Sequence, residues 1–180
     1  FTDAGHILGS AAVNLQLDEP EGPRTLFFSG DTGRYDDIIL RSPQPFPQAE
    51  YIITESTYGD RLHEVRQDAE KHLQRIVADT CVTRKGKLII PAFSLGRTQE
   101  VVYSLNRLYN SGELPPIPVY VDSPLAISAT EIMRKHSEYF NPDMIQYMKK
   151  DDDPFGFETL HYIREVEDSK ALNEMEGPCI

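Results

Sequence analysis

The segment 1–17, "FTDAGHILGSAAVNLQL", sets His6 between Gly5 and Gly9, directly ahead of an alternating apolar–polar run. Its counterpart is 27–37, "FFSGDTGRYDD", where Asp31 stands between Gly30 and Gly33. Residues 12–17 alternate with period two, which predicts a strand with Val13, Leu15 and Leu17 turned inward. Residues 25–29 predict a second strand, and "DEPEGPR" between the two carries the Pro and Gly of a turn. The pair reads as an antiparallel hairpin. In such a hairpin the start of the first strand lies beside the end of the second, with the strands about 4.8 Å apart. His6 and Asp31, 25 positions apart in sequence, are therefore expected at one edge. The flanking glycines permit the tight turns that aim each side chain.

Imidazole and carboxylate together suit zinc, which takes both at about 2.0–2.2 Å. A carboxylate can also bridge two metals. Spacing alone equally fits an aspartate capping a turn and a hydrogen-bonded loop histidine.

Further along, "AEYIIT" (49–54) reads as a short buried strand, and 64–82 as a helix burying Val65, Ala69, Leu73, Ile76, Val77 and Thr80. A strand at 86–91 follows. A helix at 98–112 then ends on Gly112, with Val101, Val102, Leu105, Leu108 and Tyr109 inward. A strand at 116–122 leads into a helix through 125–140; "HYIREV" (161–166) reads as a strand, 168–176 as a helix, and a last strand begins near Cys179. This alternation from residue 65 onward predicts an α/β class with a mainly parallel sheet flanked by helices. The hairpin-bearing start is different in kind, which puts a domain boundary near residue 60.

The chain has 180 residues, 39% hydrophobic and 26% charged, as expected of a globular protein without membrane spans. No apolar run approaches the roughly 18 residues that cross a bilayer. Its net charge of −11 argues against a uniformly basic nucleic-acid surface, but not against a metal site or local basic cleft that attracts phosphate. Cys81 and Cys179 are far apart and outside any C-x-x-C pair, which favours a reducing cytoplasm. Beginning on Phe1 and ending on "GPCI", the sequence reads as a piece of a longer protein.

"DAGHILGSA" (3–11) followed by "FSGDTGR" (28–34) closely resembles the third and fourth metal-ligand motifs of the metallo-β-lactamase fold. "TESTYGDRLH" (54–63) resembles the first signature of one branch of that fold, the β-CASP nucleases. That branch includes RNase J-like enzymes and the pre-mRNA 3′-end cleavage endonuclease. "IPAFSLGRTQE" (90–100) and "VYVDSPLA" (119–126) look like the same branch. The resemblance implies the end of a metallo-β-lactamase half-domain at 1–60 and a β-CASP α/β domain at 61–180, incomplete at its C-terminal side.

It further implies a zinc-dependent RNA-processing ribonuclease that hydrolyses phosphodiester bonds by a two-metal mechanism. His6 would bind one zinc, Asp31 would bridge both, and Glu55 is the catalytic candidate, supporting a general-acid histidine found later in the family's chain. His63 matches a family histidine without a metal role. Ser123 is a good N-cap with Pro124 at the first helical position. That helix start, and the one after Ser94 with Arg97, are candidates to hold an RNA phosphate, although Asp122 would repel it unless turned away. The expected partner is RNA, with no membrane, and a homo-oligomer stays open.

The family's H-x-H-x-D-H cluster and its two later histidines are not in this sequence. Two zinc ions are thus expected in the intact parent, absent or partial here, and the isolated chain is expected to be inactive. Two alternatives remain: another metallo-β-lactamase-fold hydrolase acting on small esters or thioesters, and a non-catalytic RNA-binding or assembly member.

Overall fold

The computed structural model describes residues 1–62 and 68–180. It is mixed α/β and divides into two compact units, Phe1–Val65 with Ser137–Gln146, and Arg66–His136 with Tyr147–Ile180. The first unit thus takes in a ten-residue excursion from far down the chain, which a single boundary near residue 60 does not describe.

The first unit is built on a four-stranded mixed sheet in the order β1 (Thr2–Asp3), β2 (Ala11–Leu17), β3 (Arg24–Phe28), β4 (Tyr51–Ile53). Strands β2 and β3 form the expected hairpin, with Val13 opposite Phe28 and Leu17 opposite Arg24. The turn closes through Gly22, at φ +117°, whose N–H donates to Glu19. Two features differ from expectation. A short strand, β1, pairs antiparallel with β2, so His6 lies in the β1–β2 turn. Strand β4, whose pairing the sequence left open, adds parallel to β3.

Burial also departs from the alternation. Ala12 and Phe27 are buried, but Leu15 and Leu17 are 43% and 42% exposed. The buried apolar side chains of this unit include Ala4, Ala12, Phe27, Ile39, Leu40, Phe140 and Met144, and none lies in the 14–25 part of the hairpin. The supposedly buried strand at 49–54 is instead an exposed edge: Tyr51, Ile52 and Ile53 are all more than half exposed. Its one ladder partner among the described residues is β3.

The excursion joins this unit through ladder and polar contacts. Leu40 bridges Phe140, Arg41 donates its N–H to Tyr139, and Asn141 donates to the Asp37 carbonyl. The Arg41 guanidinium lies 4.7 Å from the centroid of the Tyr139 ring.

The second unit contains α1 (Ala69–Val77), α2 (Arg97–Asn110), β5 (Val119–Asp122), α3 (Pro124–Arg134), β6 (Leu160–Ile163) and α5 (Val166–Glu174). Helix α4 (Pro142–Tyr147) belongs mostly to the excursion. Strands β5 and β6 pair in parallel, with Val119 opposite Leu160. Ile180 bonds to Pro118 and Tyr120 in the slanted pattern of a parallel pair, and Lys87 bridges Cys179 in parallel.

The expected strand at 86–91 is reduced to that bridge and the Leu88 N–H bond to Cys179. Its ladder partner among the described residues is only Cys179. Beyond it Ile89 and Phe93 are exposed, so no second side holds the segment extended. Helix α3 is shorter than expected. It tightens after Arg134 into i-to-i+3 bonds from Lys135 and His136, then a 3₁₀ turn at Ser137–Tyr139. Asn141 starts α4 by accepting from Met144 N–H at 2.7 Å.

Of the predicted helix at 64–82, residues 64–67 lie outside the described residues; the rest is observed as α1 plus a wide turn over Ala78–Thr83, where Arg84 N–H reaches Asp79. Val77 and Cys81 are buried, while Ile76 faces outward; Val65 lies outside the described residues. The core gathers Val77, Cys81, Leu105, Leu108, Leu114, Ile117 and Val119. No helix among the described residues is long and apolar enough to cross a membrane.

Candidate functional site

Strand polarity brings three side chains to one end of the first unit's sheet. β3 and β4 run parallel, so Asp31 and Glu55, each just beyond a C-terminal end, emerge together. β2 runs the other way, so its entry turn, with His6, opens at the same end. His6 Nε2 stands 3.9 Å from Asp31 Oδ2, with both side chains largely open to solvent.

Glycines make this approach possible. Gly33 donates its N–H to the Ala4 carbonyl at 2.8 Å, joining the Asp31 turn to the His6 turn. A Cβ on Gly33 would lie 1.8 Å from the Gly5 carbonyl oxygen, so only glycine fits there. Gly5, at φ +61°, is itself packed against Pro43. The His6 and Ile7 N–H groups both donate to Ser10 Oγ, at 3.0 and 3.3 Å.

Glu55 is fixed beside Asp31. Its Oε1 accepts from the Thr32 N–H at 2.9 Å, and its own N–H donates to Ser29 Oγ at 3.3 Å. Thr57 Oγ1 reaches Glu55 Oε2 at 3.5 Å. Ser29 is buried and further tied to the Gly30 carbonyl and the Thr54 hydroxyl, which anchors the whole corner.

A cation bound at zinc distances to both His6 and Asp31 would require their donor atoms at most about 4.2 Å apart. The observed 3.9 Å is within that limit but wider than the roughly 3.4 Å between two tetrahedral zinc ligands, so the two donors could share an ion once their side chains close in. They do not complete one: among the described residues no group of three or more His, Cys, Asp or Glu converges. His63 lies outside the described residues.

The three phosphate candidates lie in the second unit. Ser123 caps α3, accepting from Ala126 N–H at 3.2 Å, with Pro124 as the first helical residue. Ser94 does not cap α2, whose N-cap is Gly96; its hydroxyl lies 3.1 Å from that of Ser123. Arg97 is engaged by Glu100 at 2.6 Å, one helical turn on. Asp122 accepts from Ser169 Oγ at 2.8 Å, which ties it to α5. The geometry thus brings Ser94 and Ser123 together and leaves Arg97 in an intrahelical pair.

Two buried polar residues of this unit were not singled out from sequence. Gln99 donates through Nε2 to Ser94, Ala126 and Thr130, tying α2 to α3. Asn106 donates to Asp151 and to the Gly156 carbonyl and accepts from Tyr147, which folds the 151–156 loop onto α2. Their signal was positional: Gln99, Val102, Tyr103 and Asn106 share one helical stripe, all buried.

Residues 98–180 match the family described as the Beta-Casp domain. The whole chain is 35% identical over 181 residues to Ribonuclease TTHA0252 of Thermus thermophilus, covering 40% of that protein. It is 36% identical over 185 residues to Transcription termination factor FttA of Methanosarcina mazei, covering 28% of it. Endoribonuclease YSH1 of Kluyveromyces lactis is 31% identical over 185 residues, with 98% of this chain and 23% of that protein aligned. The chain therefore spans less than half the length of the curated relatives it matches.

Proposed function

Because this chain belongs to the β-CASP family, we propose that it supplies part of a zinc-dependent RNA-processing ribonuclease. In this reading residues 1–60 are the closing part of a metallo-β-lactamase domain and 61–180 a β-CASP domain with a mainly parallel sheet. RNA is the substrate and the cytoplasm the compartment. The observation that carries the reading is the 3.9 Å approach of His6 to Asp31 at an open sheet end, with Glu55 beside them.

His6 and Asp31 would hold zinc, with further donors supplied by other parts of the full-length protein. Bound there, zinc supplies Lewis acidity toward the phosphodiester and its attacking water. This chain's own residues do the rest of the positioning. Asp31 presents a carboxylate able to serve two ions. Glu55 keeps Oε2 only lightly engaged, so it can accept a hydrogen bond from an imidazole and raise that group's basicity. Such an imidazole could then protonate the leaving oxygen. Ser94 and Ser123 are the groups we assign to an RNA phosphate, with Arg97 joining once it leaves Glu100.

The isolated chain is expected to be inactive, since two donors fall short of four-coordinate zinc. A labelled RNA incubated with the full-length protein provides the test. Cleavage that stops with chelator and returns with zinc supports the proposal. Cleavage that persists after metal removal overturns it.

A further inference from the structure

The side chains of His6 and Asp31 are 45% and 72% exposed, so packing orients them only in part and their backbone turns do the rest. Each turn is held by a carboxylate that is not itself part of the His6–Asp31 pair. We infer that Asp3 and Glu55 are positioning residues for the metal ligands, each fixing the backbone N–H next to a ligand residue. This inference rests on the assignment of His6 and Asp31 to zinc.

On the His6 side, Asp3 Oδ1 accepts from the Gly5 N–H at 2.9 Å, one residue before the ligand. Its Oδ2 accepts from Arg41 Nε at 2.7 Å. Arg41 in turn lies over Tyr139 of the excursion and donates its N–H to the Tyr139 carbonyl. Both oxygens of Asp3 are thus used, and the Gly5–His6 turn is braced against a segment more than a hundred residues away in sequence. On the Asp31 side, Glu55 Oε1 accepts from the Thr32 N–H, one residue after the ligand. The Gly33–Ala4 bond then joins the two turns, so displacing either carboxylate moves a ligand relative to its neighbour.

Outer partners that hydrogen-bond a ligating side chain typically govern about tenfold to hundredfold in metal affinity, and the same range is expected for groups that hold a ligand's own turn. Turn capping for stability alone would leave that affinity untouched. Glu55 also gains a second duty. One oxygen holds the Asp31 turn, while the other is left for the imidazole discussed above.

Zinc affinity of the full-length protein, measured by competition with a chromophoric chelator, separates these roles. Asp3→Ala and Glu55→Ala are expected to weaken zinc binding about tenfold to hundredfold. Glu55→Gln keeps a carbonyl oxygen for the Thr32 N–H and is expected to restore affinity to within a few-fold of wild type, whereas Asp3→Asn would set its NH2 against Arg41 Nε–H and is expected to restore it only in part. Glu55 is exposed, so Glu55→Ala decides the matter should Asp3→Ala not fold. Alanine variants that bind zinc as tightly as wild type overturn the inference and leave the ligand assignment standing. Glu55→Gln as weak as Glu55→Ala also overturns it, because charge and not the hydrogen bond to Thr32 would then matter. A wild-type protein that takes up no zinc removes the ligand assignment and this inference together.

Discussion

The first unit holds the proposed metal donors on exposed turns, whereas the second has a packed apolar interior. His6, Asp31 and Glu55 stand in solvent, held by backbone approach, glycine and single carboxylate–N–H bonds. In the second unit Leu105, Val77, Ala126 and Phe155 are almost wholly buried, and even the polar Gln99 and Asn106 are enclosed. The contrast follows from what each must do. A cation has to reach a coordinating oxygen, so that oxygen cannot be packed away. The second unit buries its central apolar side chains while leaving Ile89, Phe93 and Leu125 exposed. A site built this way depends on turn geometry, and its surroundings on apolar area.

The sharpest way to break this contrast is in the second unit's interior. Leu105→Ala removes a side chain that is 1% exposed at the centre of the core. It is expected to cost about 2–5 kcal/mol of stability. Hydrogen exchange at the α2 amides and urea unfolding would report it. A loss under about 1 kcal/mol would mean the interior is loose and the contrast false.

Gly33→Ala is the corresponding change in the first unit, and it tests backbone approach instead of burial. The added methyl meets the Gly5 carbonyl, so the His6 and Asp31 turns must separate. The expected destabilisation is about 1–3 kcal/mol, with weakened zinc uptake by the full-length protein. Zinc uptake equal to wild type would show that the turns tolerate separation.

Smaller effects come from titration, and they divide the units by pH. Hydrogen bonds from the Thr25 hydroxyl and then the Thr25 N–H hold the Glu50 carboxyl below its usual range. A depressed folded value means stability that is present above the ordinary carboxylate range and lost as pH falls through the lowered value. The β3–β4 edge should therefore loosen on the acid side, and Thr25→Val should remove most of that dependence. In the second unit burial raises the Tyr162 phenol, and likewise those of Tyr103 and Tyr147. A raised folded value gives stability that is complete below the ordinary tyrosine range and lost as pH rises through the raised one. Protection of β6 and α2 amides, followed from neutral to strongly alkaline pH, checks this. Alkaline loss in the first unit before the second would reverse the assignment.

How far the sequence could be read depends on the range of the interaction. The hairpin was legible because period-two alternation and a Pro/Gly turn are local signals. Helices α1 and α2 were legible from their apolar stripes and the start of α3 from its Ser–Pro cap, but the short α4 was not. Which residues of the hairpin are covered was not, because Leu15 and Leu17 alternate correctly yet stand exposed. The short apolar run at Tyr51–Ile53 looked buried for the same reason, and only its edge position exposes it. Asp3 and the Tyr139 excursion were invisible. Nothing local marks a carboxylate that caps a turn two residues on, or a ring that meets an arginine almost a hundred positions away.

By itself, then, the sequence determined the glycine-flanked His6 and Asp31, the hairpin that carries them, the helical stripes of the second half and the family motifs. Tertiary structure alone decided that β4 joins β3 in parallel, that Gly33 lies against Gly5, and that Asp3 and Glu55 hold the two turns. The reason is physical: periodicity encodes which face of an element is apolar, whereas the meeting of distant backbones depends on the packing of the whole unit.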